Sequence, residues 1–463
     1  MRRVISLALL LGGCAVPASR PEVGLRTPEQ LGLGGEAAAI AVAPDWWREF
    51  GDEQLDRIVA DALAGNPSIE MASARVRQAD AILTRRDADR GPSVDLDAQA
   101  QAARLSGRYT IPPPFAGTVR FVGTTQAGLN WNLDLFGRQR AAIEQASAAR
   151  DAARYDAAAT RVMIAASVVQ AYAEVARAER QAAIARETVD ARQGSLRLIE
   201  TRIRNRLASK LDSNAATTLL AQARGALLRA EAARALGINA LAALAGRGSD
   251  YAATIGATRI VDAGPDLPAT IPADLLSRRA DIAAAQARVV AAAAGRQVAR
   301  RAFYPNVNLS ALAGLQAIGI SNLFNLDAGT AGAGAAVHLP IFDNGRLKAD
   351  LEGATAGLDL ANADYNKTLV GAVREAADAI ERLGAVADQR QQQRAVVAGF
   401  AETARLNDIR VRAGLDSSLS LVDNDIGLLD ARLADANLSL DAIIARAQLA
   451  QALGGGIDNG TKP

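Results

Sequence analysis

Residue types that usually carry out chemistry are scarce in this sequence. One His, His338, and one Cys, Cys14, occur among 463 residues. A metal site with imidazole or thiolate ligands usually needs three or four of them, and a Ser-His-Asp catalyst would depend on His338 alone. The glycine-rich segment 329–334 lacks the strand-turn-helix context of a phosphate-binding loop. We therefore expect no enzyme, no cofactor and no metal site.

The N-terminus has the pattern of an export signal. Two arginines precede a short apolar run, 4–11, and two glycines stand directly before Cys14. The run is too short to span a bilayer. One reading is an ordinary secretory signal with an incidental Cys. Leu11-Gly12-Gly13-Cys14 also resembles the bacterial lipobox, which implies that residues 1–13 are removed and that Cys14 carries lipid.

Composition limits the remaining functions. The 52 basic residues are balanced by 50 acidic ones, so the chain lacks the basic excess that nucleic-acid binding usually needs. Half of the residues are apolar but only 4% are aromatic, so small aliphatic side chains dominate. We expect closely packed helices and no nucleic-acid partner.

The sequence repeats itself. With an offset of 213 or 208 residues, similar positions coincide in two units at about 66–246 and 279–454. Residues 115–264 and 341–462 contain no proline and are rich in good helix formers, which predicts long helices at 137–204, 212–246, 345–411 and 416–453. A helix over 138–204 would be about 100 Å long.

One helix face can be followed along its sequence. Eleven apolar residues from Leu347 to Leu383 recur every 3.6 residues on average. A strict heptad coiled coil averages 3.5 and supercoils, so this helix should run nearly straight. Straight helices lying side by side can form the wall of a tube.

Between the helices the period changes to two. Apolar and polar residues alternate near 93–105, 121–135, 305–318 and 329–341, which predicts two strands in each unit. The polar positions Asp95, Asp97, Asn130, Asn132 and Asp134 should then share one face. Strands of about ten residues can cross a bilayer when tilted, although half-buried strands of a soluble sheet would show the same alternation.

The number of strands predicts an assembly. Four strands cannot close a membrane barrel, since the smallest have eight, and open strand edges are not tolerated in lipid. If these strands cross a membrane, two or three copies must therefore combine. We expect a mixed α and β fold with eight or twelve barrel strands.

Three motifs point to a family. Asn130 to Arg138, NWNLDLFGR, resembles the signature that ends a barrel strand and opens a long helix in outer-membrane efflux factors of the TolC/OprM type. Asp45 to Asp52, DWWREFGD, is similar to the N-terminal motif of their NodT-like lipoprotein subgroup. Arg278 to Ile282 resembles the start of the second repeat, with Ala280 in place of the usual Pro.

The resemblance implies a homotrimer with a twelve-stranded barrel in the outer membrane and a long α-helical barrel in the periplasm. An inner-membrane pump, most often of the RND type, and a periplasmic membrane-fusion adaptor would feed this passive duct. Drugs, toxic compounds, metal ions, solvents or secreted proteins are all possible cargo. The alternatives are a periplasmic adaptor and a structural helical lipoprotein without a pore.

The resemblance also places function at the turns between the long helices. In the family these tips contact the adaptor, which here selects Arg206, Leu207 and Ala208 in the first unit and Ala413, Gly414 and Leu415 in the second. Acidic residues beyond the second tip ring the closed pore in the family. The candidate gate residues in this chain are Asp423, Asp416, Asp212 and Ser420.

Each gate candidate has its own expectation. Asp423 matches a ring position, where three carboxylates would attract cations, but it could equally be a surface or capping residue. Ser420 replaces a common Asp. Asp212 matches a residue that pairs with an Arg in some members, and Asp416 stands where that Arg would be. The tip lock is therefore in doubt for this chain.

The expected domain organisation follows from these patterns. Residues 1–13 are a lipoprotein signal peptide and 14–52 are a lipid-anchored segment. The first repeat spans 53–264 and the second spans 265–454, each with a shorter helix, two barrel strands and two long helices. A flexible tail, 455–463, ends the chain.

Overall fold

The computed structural model describes residues 20–27, 30, 42–108, 110–261, 279–415 and 418–455. The chain folds into two compact units. The first contains Val76–Ala152 and Ala285–Tyr365 together with 20–25, and the second contains the described parts of Arg26–Arg75, Ala153–Ala284 and Asn366–Pro463.

Long helices account for most of the described chain. They occur in pairs of equal length, with 22 residues in α2 and α6, 67 in α3 and α7, and 35 in α4 and α8. The bounds in chain order are α1 Glu53–Gly65, α2 Pro67–Ala88, α3 Arg138–Arg204, α4 Lys210–Leu244, α5 Ser249–Ala252, α6 Ala280–Arg301, α7 Arg346–Arg412 and α8 Ser418–Ala452. Among the described residues, no helix combines the length and apolar composition needed to cross a membrane.

The eleven-residue apolar face predicted on α7 is covered. Each of these residues from Leu347 to Leu383 is buried or half-buried. Two residues on other faces, Leu360 and Val370, are exposed. The 3.6-residue period therefore identifies the packed side of this helix.

The first unit contains one antiparallel sheet with the strand order β1-β2-β3-β4. Its strands are β1 Ser93–Arg104, β2 Val119–Asn132, β3 Asn306–Ile318 and β4 Gly329–His338. Strand β2 pairs with both β1 and β3, while β4 pairs with β3. Within this sheet β1 and β4 are the edge strands.

One predicted strand position is wrong. Asp134 lies beyond the end of β2, with a φ of 37°. Its carboxylate oxygens accept hydrogen bonds from the amides of Gln139 at 2.8 Å and Arg140 at 3.0 Å, so it caps the start of α3. The alternation of apolar and polar residues continues past the strand, which is why the sequence pattern included Asp134.

The second unit has a core built around an aromatic pair. Trp46 and Phe50, in a short 3₁₀ helix, are fully buried and meet edge to face with ring centres 6.2 Å apart. Residues of α1, the middle of α3, and the C-terminal parts of α4 and α8 surround them. The DWWREFGD motif therefore supplies core residues.

In the second unit, the starts of α2 and α6 lie against the ends of long helices. Next to α2, Asn66 donates its side-chain amide to the carbonyl of Leu244 at 2.7 Å. At the start of α6, Arg279 donates to the carbonyl of Ala452 at 2.8 Å and also pairs with Glu375. A cation at a helix C-terminus satisfies free carbonyls and complements the helix dipole. These contacts join the start of α2 to the end of α4, and the start of α6 to the end of α8.

Candidate functional site

The register divides the sheet into two chemically different faces. Residues directly opposite one another in neighbouring strands share a face, and Asp95 lies opposite Gly128, Asp97 opposite Gln126, and Asn130 opposite Ser310. Asn132 belongs to the same face and donates its amide to Asn306 at 2.6 Å. This face is mainly polar: Ser93, Asp95, Asp97, Gln99, Gln101, Thr124, Gln126, Asn130, Asn132, Asn306, Asn308, Ser310, Gln316, Thr330 and His338.

The opposite face is almost wholly apolar. Leu96 and Val94 on it are 73% and 67% exposed, so the described part of the chain leaves them uncovered. The face consists mainly of Val94, Leu96, Ala98, Ala100, Ala102, Phe121, Ala127, Leu129, Trp131, Val307, Leu309, Ala311, Ala313, Leu315, Ala317, Ala331, Ala333, Ala335 and Val337. A sheet with one polar and one uncovered apolar face suits a wall between water and lipid.

The two tip turns have the same backbone geometry. Arg206 has a φ of 60° and Gly414 a φ of 71°, and the next residue, Leu207 or Leu415, donates its amide back to Arg202 or Arg410. These are the positive-φ ends of helices that glycine usually occupies. Leu207 and Leu415 are each 72% exposed. The predicted contact residues at both tips thus include a matching exposed leucine.

Asp212 is engaged within its own turn. One of its carboxylate oxygens accepts hydrogen bonds from the amide and the hydroxyl of Ser209, both at 2.8 Å. These bonds lower the pKa of Asp212 below its usual value. The pair forms a capping box at the start of α4. This local role accounts for the acidic residue at the first tip.

Asp423 is exposed but has an ionic partner. Its side chain on α8 is 65% exposed, and one oxygen lies 3.6 Å from a guanidinium nitrogen of Arg192 on α3. Arg192 is only 18% exposed. Both residues line a groove of about 370 Å³ together with Arg202, Asp212 and Leu207. Nothing in the local sequence of α3 marked Arg192 as a partner of Asp423.

Sequence reasoning also missed Asp425, two residues further along α8. Burial raises the pKa of Asp425, and the nearby carboxylate of Asp408 on α7 raises it further. Asp408 itself pairs with Arg412 at 2.8 Å. Each helix of the second tip therefore carries a carboxylate near the turn.

Cys14 and Asp416 lie outside the described residues. Ser420 falls within the bounds of α8. In the described part of the chain, no three His, Cys, Asp or Glu residues are grouped so that they could hold a metal ion.

Comparisons with known proteins agree over nearly the whole chain. A family model described as outer membrane efflux protein matches residues 58–247 and 271–455. The fusaric acid resistance protein FusA of Burkholderia cepacia is 31% identical, with 99% of this chain and 88% of that protein covered. The antibiotic efflux pump outer membrane protein ArpC of Pseudomonas putida is 29% identical, with coverages of 97% and 94%.

A solved structure shows the same likeness in three dimensions. The crystal structure of the outer membrane protein VceC from Vibrio cholerae superposes with a TM-score of 0.82 and 32% sequence identity. The match covers 90% of this chain and 99% of VceC.

Proposed function

The chain belongs to the outer membrane efflux protein family, and we propose that three copies of it form the passive outer-membrane duct of a tripartite efflux system. The observation that carries this proposal is the two-faced sheet with two edge strands. Family membership makes the protein an outer-membrane efflux channel, and we propose that it catalyses no reaction. Three finer parts of the proposal are the number of subunits, the lipid anchor and a periplasmic gate that includes Asp423.

Closure of the sheet is the reason for an assembly, and the family resemblance is the reason for three copies. In each copy, β1 and β4 have one side without a strand partner in the four-stranded sheet. Backbone groups on such edges are costly in lipid. Pairing β1 of one copy with β4 of the next would satisfy them, and three copies would close a barrel of twelve strands. The apolar face would then meet lipid, and Asp95, Asp97, Asn130 and Asn132 would face the water-filled lumen.

The remaining chain would form the periplasmic part. The two segments matched by the family support two repeats, for which we retain the predicted bounds 53–264 and 265–454. Each repeat contributes one 67-residue and one 35-residue helix. Packed side by side in three copies, these helices would extend the duct as an α-helical barrel.

Partners would bind at the tips. The exposed leucines Leu207 and Leu415 offer apolar contacts for a periplasmic membrane-fusion adaptor. The adaptor would join the duct to an inner-membrane pump, for which the RND type is our proposal. The passive duct has no part in coupling energy to transport, so that task falls to the pump.

The names of relatives suggest the class of cargo. FusA is named for resistance to fusaric acid, and ArpC for antibiotic efflux. We propose that small toxic organic compounds leave through this duct. A periplasmic adaptor or a helical lipoprotein without a pore, the two alternatives, would have no need of the two-faced sheet.

Lipid would anchor the N-terminus. Cys14 follows a pattern that resembles the lipobox, and we propose that it carries lipid once residues 1–13 are removed. The substitution Cys14→Ser should abolish incorporation of labelled palmitate, and undiminished labelling would rule out this site.

Membrane fractionation tests the proposed function. On a density gradient the protein should sediment with outer-membrane markers, and its gel migration should change on heating because folded barrel assemblies resist unheated detergent. A protein found only with the inner membrane would contradict the proposal.

A further inference from the structure

We propose that Arg192 sets the charge selectivity of the periplasmic entrance by compensating Asp423, so that the duct admits organic anions as readily as cations. This inference rests on the proposed function, because Asp423 borders the pore only if the chain forms the duct. Without Arg192, three copies of Asp423 would make a negative ring that favours cations.

The positions of the two side chains carry the argument. Arg192 and Asp423 come from different helices, α3 and α8, and approach to 3.6 Å. The side chain of Arg192 is 18% exposed whereas that of Asp423 is 65% exposed. A guanidinium stays charged at every physiological pH. Each exposed Asp423 therefore has a half-buried positive charge next to it.

The other charges of the groove preserve this balance. Arg202 and Asp212 line the same groove as Arg192 and Asp423, which gives two positive and two negative side chains. Asp212 is held by Ser209 at the start of α4. With a net charge of zero at this place in each copy, the entrance should neither attract cations strongly nor repel anions.

Reversal potentials in planar lipid bilayers test the inference. With a KCl gradient across the full-length wild-type protein, we expect similar permeabilities for potassium and chloride. Arg192→Gln should raise the potassium-to-chloride permeability ratio by roughly threefold or more, because Asp423 loses its compensating charge. Asp423→Asn should shift the ratio in the opposite direction, because Arg192 is then unopposed.

Two further variants separate a local effect from a general one. Arg192→Lys keeps the charge and should keep the wild-type ratio. Arg186→Gln is the matched control, because Arg186 lies on the same helix but pairs with Glu231 on α4 at 2.7 Å. Its permeability ratio should remain that of the wild type.

Each outcome has a distinct meaning. A cation-selective wild type whose ratio is unchanged by Arg192→Gln would overturn this inference and leave the proposed function intact. A wild-type protein found only with the inner membrane would overturn the proposed function, and the inference with it. If the Arg192→Gln variant does not assemble, the Asp423→Asn variant tests the inference. A change from equal permeabilities to anion selectivity supports compensation of Asp423 by Arg192. A change from cation selectivity to equal permeabilities contradicts it.

Discussion

The buried carboxylate of Asp52 offers a quantitative test of how the second unit is held together. Asp52 is 5% exposed. One of its oxygens accepts the hydroxyl of Tyr172 at 2.6 Å and the amide of Arg259 at 2.7 Å, and the other accepts the amide of Gln54 at 3.0 Å. Asp52 thus connects α1, α3 and the segment 254–261 that follows α5. We predict that Asp52→Ala releases this segment.

The size of the effect follows from the bonds that are lost. A hydrogen bond to a charged acceptor contributes about 1.5–3 kcal/mol to stability. Loss of the bond to Arg259 should therefore raise the amide exchange rate of the segment by about 10- to 100-fold, at about 1.4 kcal/mol per factor of ten. Tyr172 keeps its hydroxyl proton as a donor to Asp52, because burial and this hydrogen bond raise the pKa of Tyr172.

Hydrogen exchange followed by mass spectrometry measures this change in the purified protein. Peptides covering 254–261 should exchange faster in Asp52→Ala, while peptides from the tip should not change. Asp212→Ala is the matched control, since it removes another capping carboxylate and should affect only the tip. Exchange of 254–261 at the wild-type rate in Asp52→Ala would refute the reasoning.

Three other predictions concern Gly246 at the end of α4, the sheet and the second tip. Gly246→Ala should lower the melting temperature, because its φ of 68° and a neighbouring backbone carbonyl leave no room for a Cβ, at a cost above about 1 kcal/mol. Gly357→Ala, inside α7 with open space around it, should not lower it. Leu96→Lys should reduce the yield of heat-modifiable protein by placing a charge on the apolar face, at about 2–4 kcal/mol near mid-membrane, whereas Gln99→Lys on the polar face should not. Because burial raises the pKa of Asp425, the wild type should gain thermal stability relative to Asp425→Asn as the pH falls towards 3.8. A difference in melting temperature that stays constant with pH would contradict the raised pKa.

Sequence patterns were sufficient to predict features that depend on a single helix or strand. The alternation in 93–102 predicts both the strand β1 and its polar and apolar faces, because strand geometry alone places alternate side chains on opposite sides. The absence of proline from 341–462 similarly predicts α7 and α8, which end and begin close to the expected turn. Such features need no knowledge of distant residues.

Interactions between distant segments could not be predicted in this way. Arg192 and Asp423 lie on helices far apart in sequence, and neither local pattern differs from that of other charged residues on a helix surface. Asp134 continued the alternation of β2, yet its carboxylate caps α3. Arg279 belonged to a recognised motif, but its bond to the carbonyl of Ala452 depends on how α6 meets α8. Tertiary packing decides the role of each of these residues.

The most direct test of the central claim is the number of copies in the detergent-extracted particle, counted by native mass spectrometry. Three copies are predicted, because the family resemblance implies a barrel of twelve strands and each copy supplies four. A homogeneous monomer would leave both sheet edges unpaired in lipid and would contradict the account, as would a particle with two copies and eight strands.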